Sequence, residues 1–72
     1  MVASTLADFC EAAPFRPFEV FLSDGRSWLI NHPDFVSLNL ADGALTVYDE
    51  QTDLADVIDL LAVVSLRYHT KE

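Results

Sequence analysis

Alternating hydrophobic and polar residues dominate the chain after residue 17. Over residues 18–22 the sequence FEVFL places phenylalanine, valine and leucine at every second position. This period of two is typical of a β-strand with one buried face. Further runs of strand-forming residues cover 26–31, 35–40, 45–48 and 55–68. The pattern predicts a mainly β fold over residues 18–68.

Short polar segments separate these predicted strands. Asp24-Gly25 and Asp42-Gly43 are typical of hairpin turns, because glycine tolerates a positive φ and aspartate bonds to nearby backbone. His32-Pro33-Asp34 interrupts the second strand, and a proline cannot donate a hydrogen bond to a neighbouring strand. We expect the strand to bend there, with the His32 and Asp34 side chains bonded to the backbone around the proline.

The last hydrophobic segment has two interpretations. Its valines favour β structure, which predicts two short strands joined at about residues 60–62. The spacing of Leu54, Val57, Ile58 and Leu61 also fits the apolar face of a helix. We take strand-bend-strand as the prediction and keep the helix as the alternative.

A short helix is predicted ahead of the strands, over residues 5–13. Thr5 opens a sequence that resembles a capping box, and Leu6, Phe9 and Cys10 fall on one helical face. The proline that follows ends the helix, since the residue before a proline disfavours helical geometry. A helix of this length is unstable alone, so its apolar face must pack against the strands.

The length of 72 residues indicates a single domain over residues 1–72, and 51% hydrophobic residues are enough for a packed core. A core of this size often needs disulfides, metals or oligomerisation to be stable. The chain has one cysteine and two histidines, so an internal disulfide is impossible and a Cys/His metal site is poorly supplied. Oligomerisation is the remaining source of stability.

The formal net charge is -8, from twelve acidic and four basic residues. This balance repels phosphates, which argues against general binding to nucleic acid or to anionic membranes. The start of the chain lacks a basic region followed by an apolar run, and no apolar stretch is long enough to cross a bilayer, so we expect neither a signal peptide nor a membrane span. A lone cysteine suits a reducing compartment, and we expect the protein in the cytoplasm.

No catalytic, cofactor or metal site is predicted. His32 lies near Asp34, but no nucleophile accompanies them, and we interpret the pair as structural. Asp49, Glu50 and Asp53 offer oxygen ligands, yet they lack the spacing of a calcium loop and indicate a solvated turn. We therefore expect a protein that is not an enzyme and holds no cofactor.

The stretch FEVFLSDGR at 18–26 resembles the first motif of the Sm-like family, in which a strand ends in a polar-glycine turn and leads into a long bent strand. The segment 32–38 is also similar to that family, which has an acid and an apolar strand at this place. The resemblance implies a small, five-stranded, strongly bent antiparallel barrel of the SH3-like class, and RNA binding. The chain departs from the family at two places: the second glycine of the bent strand is replaced by Leu29-Ile30-Asn31, and the segment Leu66-Arg67-Tyr68-His69 lacks the basic character of the family's second, RNA-binding motif.

A second resemblance covers three short motifs. The chain is similar to a set of short bacterial proteins of undefined function that share the pattern PFRPF, DGR and HPDF. These motifs lie here at 14–18, 24–26 and 32–35. The resemblance implies a bacterial protein and carries no activity with it.

The first functional hypothesis is a protein-interaction module that assembles with itself. Unpaired edge strands of a small barrel can pair between copies, giving a homo-oligomer in the form of a ring or dimer. The predicted edge is the strand at about 63–68, with Val63, Val64, Leu66 and Tyr68, because it carries few charges. An unidentified protein partner is a further possibility.

The second hypothesis is an Sm-like RNA-binding or RNA-associated regulatory protein. Its contacts to RNA or another anion would come from five residues: Arg16, Arg26, Arg67, Tyr68 and His69. In a ring, these arginines or Lys71 could collect at one rim. A third reading, that the acidic surface imitates nucleic acid and blocks a basic partner, rests on charge alone.

Overall fold

The structure is a computed structural model that describes residues 3–69 and is mainly β, with one N-terminal helix. In chain order its elements are α1 (Ala3–Glu11), β1 (Phe18–Leu22), β2 (Ser27–Ile30), β3 (Val36–Asn39), β4 (Ala44–Asp49), β5 (Leu54–Asp59) and β6 (Val63–Tyr68). The strands form two antiparallel three-stranded sheets, in the orders β2-β1-β6 and β3-β4-β5. The predicted mainly β fold with a short N-terminal helix is confirmed.

The prediction of five strands is wrong in number, because the expected long second strand is two strands. β2 pairs with β1 in the first sheet, whereas β3 pairs with β4 in the second. A 3-10 turn, Pro33–Phe35, lies between them. Since Pro33 has no N–H, it cannot continue a strand ladder, and the chain leaves the first sheet there. Within residues 3–69 no strand pairing joins the two sheets, so they are not hydrogen-bonded into a closed barrel.

The predicted strand-bend-strand at the end of the chain is confirmed. β5 and β6 flank a second 3-10 turn, Leu60–Ala62. β5 pairs with β4 along its whole length, from Asp49↔Leu54 to Ala44↔Asp59. The alternative helix is wrong. The hydrogen bonds of this ladder outweigh the helical spacing of the apolar residues in the segment.

The chain passes between the two sheets at two places, and each is a 3-10 turn capped by the preceding side chain. His32 Nδ1 accepts a hydrogen bond from the N–H of Asp34 at 3.2 Å. Asp59 Oδ1 accepts one from the N–H of Leu61 at 2.9 Å. The expected bond from His32 to the backbone near Pro33 is confirmed, while the Asp34 carboxylate lies 3.6 Å from the same histidine nitrogen.

The turn Leu60–Ala62 is also bonded to the first hairpin of each sheet. The N–H of Ser23, between β1 and β2, donates to the carbonyl of Ala62 at 2.9 Å. The N–H of Leu60 donates to the carbonyl of Gly43, between β3 and β4, at 3.0 Å. One short turn therefore fixes the position of both sheets.

Both predicted Asp-Gly turns are present. The N–H of Gly25 donates to the carbonyl of Leu22 at 3.0 Å, and that of Gly43 to the carbonyl of Leu40 at 3.3 Å. The two glycines have φ of 93° and 62°, a region that a side chain disfavours, so glycine suits both positions.

Hydrophobic side chains from both sheets and from α1 form the core. The buried residues are Leu6, Phe18, Val20, Leu22, Ile30, Val36, Leu45, Val47, Ile58, Leu60 and Val63. In β1 burial alternates along the strand, as the period of two predicts. The two sheets therefore bury one shared interior between them.

Helix α1 packs across both sheets. It contacts β3, Leu6 is fully buried, and the Phe9 ring lies edge-on to Phe18 at 5.3 Å. The helix occupies 3–11 rather than the predicted 5–13, so Thr5 lies inside it and does not cap it. Its end at Glu11 agrees with the effect of the proline that follows.

We predict that Asp59→Ala lowers the free energy of unfolding by about 1 kcal/mol, because the N–H of Leu61 loses its acceptor. Asp59→Asn, which keeps an acceptor oxygen, should retain most of that stability. The measurement is urea unfolding followed by circular dichroism. Asp56→Ala is the matched control, since Asp56 is exposed on the same strand and its loss removes the same charge. Equal effects of Asp59→Ala and Asp56→Ala would contradict the capping role.

Candidate functional site

Strand β6, the predicted oligomer edge, lies at an edge of the first sheet. It pairs with β1 on one side, from Phe18↔Tyr68 to Phe21↔Ser65. The register shifts between Phe21 and Leu22, where Val64 is the extra residue of a β-bulge. Along its other side the backbone N–H and C=O groups of β6 have no strand partner among residues 3–69. This free edge can accept another strand.

Three exposed hydrophobic side chains lie within or near the turn Leu60–Ala62 that precedes β6. Val57 is 72% exposed, Leu61 86% and Val64 57%. We call these three residues the apolar corner. They lie where the edge strands of both sheets, β5 and β6, approach the same turn. The apolar corner adds hydrophobic surface to the free backbone edge.

The other edge strands are better protected against pairing. β5 carries Asp56 and Asp59, and charges on an edge oppose pairing with another chain. β2 and β3 have only four residues each, and α1 contacts β3. β6 has six residues with Arg67 as its single charge, so it is the edge most open to a second strand.

The predicted anion contacts Arg67, Tyr68 and His69 do not all lie on one face, because successive residues of a strand point to opposite faces. Tyr68 faces inward with Phe18, its cross-strand partner. Arg67 is opposite Glu19 on the outer face, where its guanidinium lies 4.9 Å from the centre of the Phe21 ring. His69 Nε2 is 3.3 Å from Glu19 Oε1 on that face.

Tyr68 has both faces of its ring covered. Phe9 stacks on one face, with centroids 4.2 Å apart and planes 15° apart. The guanidinium carbon of Arg16 lies 4.0 Å from the same ring centre, which places it on the other face. A nucleic-acid base could stack on Tyr68 only by displacing Arg16. The structure thus brings Arg16 and Tyr68 together, but as a filled stack.

Arg26 is held within its own turn. Its backbone N–H donates to Asp24 Oδ1 at 3.0 Å and its Nε to Asp24 Oδ2 at 2.7 Å. These hydrogen bonds, the backbone one foremost, hold the pKa of Asp24 below its usual value. The guanidinium also lies 5.3 Å from the centre of the Trp28 ring. Arg26 therefore contacts a different ring from Arg16 and from Arg67, and Lys71 lies outside the described residues.

The acidic turn between β4 and β5 is organised by its own backbone. Asp49 Oδ1 accepts from the N–H of Gln51 at 2.9 Å, and the N–H of Asp53 donates to the carbonyl of Asp49 at 2.9 Å. Asp53 has a φ of 59°, which is the left-handed conformation that aspartate tolerates. Within residues 3–69, no three Asp, Glu, His or Cys side chains are arranged to hold a metal ion.

A groove at the other edge of the first sheet was not assigned by the sequence analysis. It has a volume of about 220 Å³ and lies between β2 and the end of β4. Its lining is aromatic and acidic: Trp28, Leu29, Asn31, Phe35, Val47, Tyr48, Asp49, Glu50 and Gln51. The adjacent Tyr48, Asp49 and Glu50 were a signal in the sequence, but only the fold brings Trp28 and Phe35 to them.

The comparisons with known proteins give no relative. The chain matches no family model, no curated protein and no solved structure at a significant level. Among residues 3–69, no helix has the length and apolar character needed to cross a membrane. Function must therefore be inferred from the surface of the fold itself.

Cys10 is half-buried on α1, on the predicted apolar face. Burial raises the pKa of its thiol to about 11, and the neighbouring Glu11 carboxylate adds to the rise. Since the thiolate is the reactive form, the folded protein presents very little nucleophile near neutral pH. The stability that this protonated thiol contributes is complete below pH 9 and is lost as the pH rises through about 11.

We predict that at pH 9 the folded protein reacts with iodoacetamide at least ~10-fold more slowly than the urea-unfolded protein, because a smaller fraction of Cys10 is ionised. Mass spectrometry measures the rate without ambiguity, since the chain has a single cysteine. The unfolded chain is the matched control for the intrinsic reactivity of the thiol. Equal rates in the two states would contradict the raised pKa and the packing of α1.

Proposed function

We propose that the protein is a non-catalytic interaction module of the cytoplasm that assembles with copies of itself through β6. The observation that carries this proposal is the free edge of β6, with one charged residue and the exposed apolar corner beside it.

We further propose that β2 and β3 act as halves of one bent strand in an SH3-like arrangement of the Sm-like kind. In support, both crossings between the sheets occur at capped 3-10 turns.

Pairing of β6 with a second copy satisfies backbone groups and buries apolar surface together. The regular part of the strand, from Ser65 to Tyr68, supplies the hydrogen bonds, because the bulge at Val64 interrupts the ladder before it. Leu61 and Val64 lie next to that interface. Burial of a leucine or valine side chain contributes about 1.5–3 kcal/mol each. Self-pairing thus compensates for the small core that a chain of this length can form.

We predict that light scattering after size exclusion gives a multiple of the chain mass of 8.0 kDa. Leu61→Lys should shift the mass toward the single chain, because a charge at the apolar corner opposes its burial. Leu40→Lys is the matched control, since Leu40 is also an exposed leucine but lies in the β3–β4 turn. It should leave the mass unchanged.

Two results would contradict self-assembly through β6. One is a stable mass of 8.0 kDa for the unmodified chain at high protein concentration. The other is an oligomer that Leu61→Lys and Leu40→Lys weaken equally, which would place the interface elsewhere. In either case the free edge would remain available to an unrelated protein.

RNA association is the second candidate function, favoured by the exposed arginine that covers Tyr68. Arg16 lies over this ring with no carboxylate within 4.0 Å of it among the described residues. A planar guanidinium can stack on an unpaired base. The chain's net charge of -8 opposes the approach of any phosphate backbone. Self-assembly therefore ranks first.

We predict no salt-dependent binding of short single-stranded RNA, measured by fluorescence anisotropy at low and moderate salt. RNA binding that Arg16→Ala abolishes and Arg26→Ala preserves would reverse the order of the two functions. Arg26 is the matched control because it is already paired with Asp24. The same samples should be tested for mass, since a ring could concentrate charge that one chain lacks.

A further inference from the structure

The groove between β2 and β4 has a composition suited to one kind of ligand. Three aromatic side chains, Trp28, Phe35 and Tyr48, line it together with the carboxylates of Asp49 and Glu50. Val47 lies at its base and is buried, whereas Tyr48 and both acids are exposed. The described lining residues include no lysine, arginine or histidine. The groove therefore combines ring faces and negative charge in one concave surface.

The acids near the groove have capacity for a cation. Asp49 uses one carboxylate oxygen for the N–H of Gln51, and Glu50 forms no ion pair among residues 3–69. A third acid, Asp56, lies directly across the ladder from Val47 but outside the groove lining. Carboxylates and aromatic faces both attract a positive charge.

Trp28 already binds one guanidinium, that of Arg26, at 5.3 Å from its ring centre. The positive charge of Arg26 is balanced by Asp24, whose Oδ2 is 2.7 Å from Nε. This neutral pair does not repel a second cation. The arrangement shows that the indole can serve as a platform for a positive group.

We propose that this groove binds a lysine or arginine side chain from an extended basic segment of a partner protein. The cation would lie against the aromatic rings, with Glu50 and Asp49 as its counter-charges. The net charge of -8 attracts such a segment and repels anionic ligands. Charge complementarity thus selects the occupant.

A different protein supplies this side chain, because the three arginines of the chain already contact aromatic rings within the same chain. Arg16 lies over Tyr68, Arg26 over Trp28 and Arg67 over Phe21. Transferring one of them to a second copy would cost its internal contact. A segment from a partner protein has no such cost.

The groove and the β6 edge can be occupied at the same time. β2 and β6 are the two outer strands of the first sheet, with β1 between them. Binding at the groove therefore goes beyond self-assembly and does not depend on it. Leu61→Lys should leave groove binding intact, which separates a failure of one proposal from a failure of the other.

The test uses a short, end-blocked peptide of alternating glycine and arginine, and the same peptide with neutral citrulline in place of arginine. Trp28 is the only tryptophan, so its emission reports on the groove directly. Backbone amide shifts in NMR locate the contact. We expect changes at Trp28 and at residues 48–51 with the arginine peptide, and much smaller ones with the citrulline peptide.

Two variants with the same change in charge complete the experiment. Glu50→Gln should weaken binding of the arginine peptide about fivefold, whereas Asp8→Asn, on α1, should change it by less than about twofold.

Equal weakening by both variants, or shifts spread over the acidic surface, would show general attraction and overturn the proposal. Absence of any shift at millimolar peptide would also overturn it. Emission of Trp28 that changes with protein concentration alone would assign the groove to a second copy instead.

Discussion

The fold depends on two capped turns at which the chain crosses from one sheet to the other. Each sheet has three strands, and neither can bury its inner face without the other. His32 and Asp59 satisfy a backbone N–H within these turns, and the second turn also bonds to a hairpin of each sheet. Because short polar caps and backbone bonds set the angle between the sheets, the shared core can close around Phe18 and Leu45, both fully buried.

The same crossings determine which strands remain open. A chain that leaves a sheet at a turn ends one strand at an edge, so β2, β3, β5 and β6 are all outer strands. β2 and β3 are too short to pair extensively with another chain, and two aspartates protect β5 against such pairing. β6 has neither protection, and the exposed Leu61 and Val64 lie beside it. Its free edge follows from the topology, and its low charge makes that edge suitable for pairing.

The three arginines are placed as structural contacts. Each arginine covers an aromatic ring, and Arg26 is also bound to Asp24. This arrangement uses the long side chains to shield aromatic surface and, among residues 3–69, leaves every carboxylate except that of Asp24 without an arginine partner. An acidic exterior with aromatic rings at its groove is suited to basic partners more than to phosphates. Charge and fold therefore agree on the kind of surface that this protein presents.

The sequence by itself determined the local structure. Period-two burial in β1, the glycine turns at Gly25 and Gly43, and the end of the helix before Pro14 follow from side-chain size and backbone sterics, which act between neighbours. The net charge of -8 and the segment at 63–68 with few charged residues were also predicted from the sequence alone. The pairing of distant strands could not be predicted from the sequence. Only the tertiary structure showed that the expected bent strand is divided between two sheets. It also brought Trp28 to Glu50, because contacts between distant segments depend on long-range register that no local pattern encodes.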